Sequence, residues 1–268
     1  MGKVIAVCTS DRKGIQKKDV STAHFSAEWG IDGDAHAGKW HRQISLLSAD
    51  KIEAFNKRGA NVIPGAFGEN LVVEGFDFRA LPVGTLLRCN DVLLEMTQIG
   101  KECHSHCEIY KKMGDCIMPR EGVFARVLEP GTISVGDEMT IVPREGHFPW
   151  QAAVITLGES GSGEPIAKRL RDAGYAVVEE PAITDDVRVL KQQLMRLCDQ
   201  RQLDIILVTG GAGSAAQEAM SAVSDKPAPG IASAVIRGKT LIAADPEEHM
   251  DALMDSAPQV MESLRNGR

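Results

Sequence analysis

At residues 144–150, REGHFPW, the texture of the chain changes, which rules out one repeating architecture for all 268 residues. Before that point, short runs rich in branched residues alternate with Gly, Pro, Asn and Asp. They are VIAVC, RQISLLS, NLVVEG, GTLLRC, VLLEMTQ and EMTIV. Such strands at close spacing predict a mostly β, barrel-like domain over residues 1–143. GTLLRCNDVLLEM predicts a hairpin turning at Asn90 and Asp91. Helical periodicity is clearest in SADKIEAFNKRG, with Ser48 as N-cap and Gly59 as the stop.

After the polar, proline-bearing linker 144–150, strand and helix alternate. AAVITL leads into the amphipathic EPIAKRLRDAG, YAVVEE into DVRVLKQQLMRLCDQ, and DIILVTGG runs into glycines. IRGKTLIAA then reads as a strand, and DPEEHMDALMDSAPQVMESLRNG as the closing helix. That order calls for right-handed crossovers. It predicts an α/β three-layer domain with a mostly parallel sheet over residues 151–268.

Charge narrows the function classes. A net charge of -7 argues against a general nucleic-acid binder, which needs a basic surface to release counterions. It leaves room for a local basic patch that meets a small anion. No apolar run has the length of a bilayer span, and MGKVIAVCTSDRKG carries no signal-peptide core. The expectation is a cytoplasmic protein with its six cysteines reduced.

The chemistry concentrates in QIGKECHSHCEIYKKMGDC, which gathers Cys103, His104, His106, Cys107 and Cys116. Structural zinc sites usually use two close ligand pairs well separated in sequence, and here all the ligands crowd one loop. Iron–sulfur spacing is absent. Cationic neighbours (Lys101, His104, His106, Lys111 and Lys112) favour a thiolate at Cys103 and Cys107. Such a thiolate suits a persulfide carrier or a soft ligand for a thiophilic metal. Cys8, Cys89 and Cys198 lie inside apolar stretches and read as core packing.

GIDGDAHAGKWHRQISLLS (30–48), GAFGENLVVEG (65–75), LPVGTLLR (81–88), QIGKEC (98–103) and GVFARVLEPGTISVGDEMTI (122–141) occur in this order. Together they resemble the MOSC family, named for the C-terminal domain of molybdenum cofactor sulfurases. The resemblance implies a β-rich barrel-like fold that binds the molybdopterin form of the molybdenum cofactor. It implies that Cys103 is the functional thiol, as molybdenum ligand or carrier of sulfane sulfur. The other motifs suit an anionic pterin. Gly33, Gly38, Gly65 and Gly68 permit turns whose N–H groups face an oxyanion. Lys39, His41 and Arg42 are donors for a phosphate, and Glu69 and Asn70 are candidate contacts to the ligand. Arg120 and Arg126 are further candidates, against the alternative of surface pairing with Glu121 or Glu129.

DIILVTGGAG, with the segment from Gly174 before it, resembles the Mog/MoaB-type molybdopterin-binding domain. There a glycine turn at the carboxyl edge of a parallel sheet exposes N–H groups to a ligand. Asp185 matches an acidic position that the family uses in nucleotide or metal chemistry. The family's R-D-V-T-P-like segment is missing, since GGAG runs straight into SAAQEAMSAV. Asp245, Glu247 and Glu248 put negative charge at a helix start where a phosphate would otherwise sit. The expectation is a shortened module kept for binding or oligomerisation, with a homo-oligomer implied by the resemblance.

Two functional classes follow. In one, the chain holds or sulfurates the cofactor for a client molybdoenzyme, taking sulfur from a separate cysteine desulfurase. In the other, the bound cofactor itself turns over, for example in reducing N-hydroxylated compounds.

Overall fold

The computed structural model describes residues 1–101, 103, 107–146, 148–158, 163–211, 214–244 and 246–266. These form two compact units, Met1–Glu145 and Gly146–Arg268.

The first unit opens with β1 (Gly2–Thr9), β2 (Lys18–Asp19), β3 (Thr22–Ser26), β4 (Gly30–Ile31) and β5 (Ile44–Ser48). Helix α1 (Ala49–Lys57) leads to β6 (Leu71–Glu74), β7 (Leu86–Cys89) and β8 (Val92–Ile99). Two short helices follow, α2 (Glu108–Met113) and α3 (Met118–Glu121), then β9 (Val123–Glu129), β10 (Gly131–Ser134) and β11 (Glu138–Val142). The order β11-β7-β8-β9-β5-β6-β1 closes on itself because β1 also pairs with β11, through Gly2↔Met139. The result is a seven-stranded barrel, with a small sheet β10-β3-β4 beside it. A register shift in β1 between Val4 and Ala6 reverses which parity faces the core and sets the layering. Val4 and Val7 join the barrel core with Phe25, Leu94 and Met96, whereas Ala6 and Cys8 pack outward with Phe55, Phe67 and Ile117.

The hairpin falls at Asn90-Asp91, with Cys89 opposite Val92 and Asn90 at φ 51°. Ser48 does sit at the N-cap of α1, but its hydroxyl accepts from Phe78 N–H (3.3 Å) instead of capping the helix. Strand β9 sits between β5 and β8, although its Arg126 interrupts any apolar run.

The second unit contains β12 (Gln151–Leu157), α4 (Gly163–Asp172), β13 (Ala176–Glu179), β14 (Ala182–Ile183) and α5 (Val187–Met195). It continues with β15 (Ile205–Gly210), α6 (Ser214–Val223), β16 (Lys226–Pro227), β17 (Ala234–Arg237), β18 (Thr240–Ala244) and α7 (Pro246–Asn266). Strands β13, β12, β15 and β18 are parallel neighbours, and β17 and β16 add an antiparallel edge. The single strand expected over IRGKTLIAA is therefore a hairpin, turning at Gly238 (φ 56°). Residues of α4 and α7 pack on one face of the sheet, and those of α5 and α6 on the other. These are the three layers. Asp186 caps α5 by accepting from the N–H groups of Arg188 and Val189. Among the described residues, no helix is long and apolar enough to cross a membrane.

Candidate functional site

The motif loops of the first unit are held by a buried polar frame. Asn70, 1% exposed, donates through Nδ2 to the Cys8 carbonyl (3.0 Å) and to Asp34 Oδ2 (3.1 Å). Its Oδ1 accepts from both the N–H and the hydroxyl of Ser45. Asp34 also takes Lys17 Nζ at 2.5 Å and the Ser10 N–H at 3.0 Å. Burial alone would raise the Asp34 carboxyl, but His36, Lys17 and Ser10 outweigh it and hold it well below the ordinary range. For Lys17, burial pulls the ammonium down, against the opposing pull of Asp34. The result is an ion pair sealed from water, with Lys17 3% exposed.

Glu69 is fully buried and closes the neighbouring turn. Its two oxygens accept from Gly65 N–H (2.7 Å) and Phe67 N–H (3.0 Å). Burial pushes this carboxyl up to about 7, although those donors and Lys17 oppose the rise. The Lys17 backbone N–H donates in turn to the Gly65 carbonyl, at 3.0 Å. The loop before β2 is thereby bound to the GAFGEN turn. Ser10, 7% exposed, carries a hydroxyl that has no hydrogen-bond partner among the described residues. Ala35 N–H donates to its carbonyl.

A second link joins the GKWHR loop to the strand that leads to Cys103. His41 Nε2 lies 3.0 Å from Gln98 Oε1, and Gln98 Nε2 donates to the Gly100 carbonyl. Thr97 Oγ1 donates to the His41 carbonyl. Arg42 stacks over the rings of Trp40 (4.8 Å) and Phe124 (5.5 Å). Lys39 is exposed beside them. Cys103 and Cys107 are exposed thiols, whereas Cys8, Cys89, Cys116 and Cys198 are buried. Burial pushes Cys8, Cys89 and Cys198 up to about 12, as befits core packing. Cys116 is raised by burial first, with Cys107 and Cys103 adding to it. His104 and His106 lie outside the described residues. Among the described residues no cluster of three or more His, Cys, Asp or Glu could hold a metal ion.

The two later arginines stand in ion pairs of their own. Arg120 pairs with Asp115, which also binds Arg58, and Arg126 pairs with Glu95 at 2.6 Å. The close partners are Asp115 and Glu95, with Glu28 a further 3.9 Å contact of Arg126; Glu129 belongs to Arg88. Lys17, Asp34, Ser45 and Gln98 are the supporting residues that motif reading did not single out. Of these, Asp34, Ser45 and Gln98 stood inside the quoted motifs.

In the second unit, β15 ends in the glycine turn, with Gly210 at φ 78° and Gly211 at φ 80°. A Cβ on Gly211 would lie 3.0 Å from the carboxylate of Asp185, so that side chain leans directly over the turn. Asp245 lies outside the described residues, and α7 begins at Pro246.

Comparison with known proteins matches these two constructions. Residues 33–140 match the MOSC domain model, and residues 131–241 match the probable molybdopterin binding domain. The first unit carries a MOSC domain, and the second carries a probable molybdopterin binding domain. This pairing indicates a role in molybdenum cofactor metabolism. Among solved structures, YUAD protein from Bacillus subtilis is similar at 22% identity. That match covers 52% of this chain and 94% of the other, with a TM-score of 0.45. YiiM from Escherichia coli is 19% identical over 55% of this chain and 72% of its own, with a TM-score of 0.40. The Mog protein from Mycobacterium ulcerans is 20% identical over 46% of this chain and 100% of its own, with a TM-score of 0.41. The domain assignments rest on the family models.

Proposed function

We propose that the MOSC domain binds the molybdopterin form of the molybdenum cofactor, with Cys103 as metal ligand or carrier of sulfane sulfur. The observation that carries this reading is an exposed thiol, Cys103, five residues beyond a glutamine bonded to the basic GKWHR loop. The residues suit such a ligand. Cys103 supplies a soft thiolate, and the Ser10 hydroxyl is a buried polar group without a partner among the described residues. Arg12, Lys13 and Lys39 are exposed cations on the adjoining loops. When bound, the cofactor supplies two-electron chemistry at molybdenum. The chain's own residues do the holding. Arg42, fixed between two rings, and Lys39 meet the phosphate, and His41 orients against Gln98.

Glu69 and Asn70 act one layer further in. Both are buried with their polar atoms engaged, so they shape the turns and leave contact with the ligand to the loop residues. Arg120 and Arg126, already paired, contribute charge to the rim. The second unit is a non-catalytic module for binding or oligomerisation. Its Asp185 and glycine turn remain, without the acidic segment the resemblance would require. The protein works in the cytoplasm, receives sulfur from a cysteine desulfurase and serves a client molybdoenzyme.

The ligand and carrier roles of Cys103 separate in one experiment. Cofactor-loaded protein is examined by molybdenum X-ray absorption, and desulfurase-treated protein by intact mass. Loss of one sulfur neighbour of molybdenum in Cys103→Ser assigns ligation. A 32 Da adduct (approximately one sulfur atom) confined to Cys103, with the sulfur shell unchanged, assigns carriage. Neither result in either sample refutes both roles.

A further inference from the structure

Trp40 is an exposed aromatic held rigidly in place. Its indole N–H donates to the His36 carbonyl at 3.0 Å, which pins the polar edge of the ring. The Arg42 guanidinium lies 4.8 Å from its ring centroid, and Arg42 is itself backed by Phe124 at 5.5 Å. Even so the residue is 38% exposed. A large apolar ring open to water usually relaxes onto nearby apolar surface, and here a hydrogen bond and a stacked cation oppose that. An aromatic fixed in this way loses little entropy when a second ring stacks on it. Its neighbours along the chain are Lys39 and His41, and His41 is bonded to Gln98 on the strand leading to Cys103.

We infer that Trp40 is a stacking platform for the pterin ring system and sets the preference of the site for a planar heteroaromatic. This rests on the cofactor reading above and deepens it, because it assigns the ring of the ligand to a residue that none of the charge arguments used. The bicyclic pterin lies on the accessible part of the indole. The phosphate arm then extends to the cations of the loops. No covalent step is involved.

The test uses neutral 6-hydroxymethylpterin as the probe, so that loss of an anion contact at Arg42 cannot mimic loss of stacking. Binding to the full chain is followed by tryptophan quenching and by calorimetry in wild type, Trp40→Phe and Trp40→Leu. Trp29 and Trp150 remain as internal emitters in both variants. Stacking predicts affinity within about threefold of wild type for the phenylalanine variant and about tenfold weaker for the leucine variant. Most of the quenching should vanish in both. Equal affinity for wild type and Trp40→Leu overturns the platform and leaves the cofactor reading intact. A wild-type chain that binds no pterin overturns the cofactor reading and the platform together. Circular dichroism of Trp40→Leu matching wild type shows that weakened binding is not unfolding.

Discussion

His41 Nε2 lies 3.0 Å from Gln98 Oε1 and joins the basic loop to the strand that leads to the exposed thiol. Gln98 Nε2 is already committed to the Gly100 carbonyl, so Oε1 is the acceptor and His41 carries its proton on Nε2. Removing either partner with His41→Ala or Gln98→Leu should cost about 1 kcal/mol of stability. It should also lower pterin occupancy, because the loop is no longer registered against the strand. Urea denaturation of both single variants and the double variant checks this. A coupling energy near zero would show that the two residues act independently.

Glu69 predicts an unusual pH dependence. Its carboxyl is raised from 4.5 to about 7, chiefly by burial, so the folded state favours the protonated form. The stability it contributes is fully present below the unfolded value and is lost as pH rises through about 7. From the size of that rise, the loss is on the order of 3 kcal/mol between acid and alkaline limits. Glu69→Gln should flatten this part of the profile. Denaturant midpoints across that window, in wild type and variant, provide the check. Asp34, held low by His36 and Lys17, works in the opposite sense and loses its contribution only in strong acid.

The sealed pair of Lys17 and Asp34 should show the asymmetry of buried charge. Lys17→Met leaves an uncompensated carboxylate and is expected to cost about 3–5 kcal/mol. Adding Asp34→Asn should restore part of that loss, since the stranded charge is gone while Asn70 keeps a partner. Thermal unfolding of the single and double variants reads this directly. A double variant less stable than Lys17→Met contradicts it.

Two glycines of one turn separate strain from crowding. Gly65 has φ 88°, and a Cβ there would meet the Lys17 carbonyl at 2.3 Å. Gly68 has φ 84° but opens onto free space. Gly68→Ala should cost about 1 kcal/mol from backbone strain alone, and Gly65→Ala clearly more, because it also pushes two loops apart. Equal melting temperatures for the two variants would count against the tight fit of these loops.

Much of the barrel was legible because each strand is short and bounded by turn residues, as at Asn90-Asp91. Strand β9 was not, since Arg126 breaks its apolar pattern and its charge is accommodated by long-range pairing with Glu95 and Glu28. The hairpin of β17 and β18 was hidden because the turn at Gly238 is too short to interrupt IRGKTLIAA. In the site, Cys103, His41 and Arg42 were visible as chemistry within motifs. Lys17 was not, because a lysine reads as a surface residue unless its buried partner, Asp34, is known. Glu69 and Asn70 read as candidate contacts to a ligand, and only their burial reveals the frame they build.

The central claim is tested most directly by the metal and pterin content of the chain purified from cells that make the cofactor. The account predicts molybdenum and pterin together in wild type, with molybdenum lost or sharply reduced in Cys103→Ala if the thiol is the ligand. Zinc without pterin in the wild-type protein would contradict it.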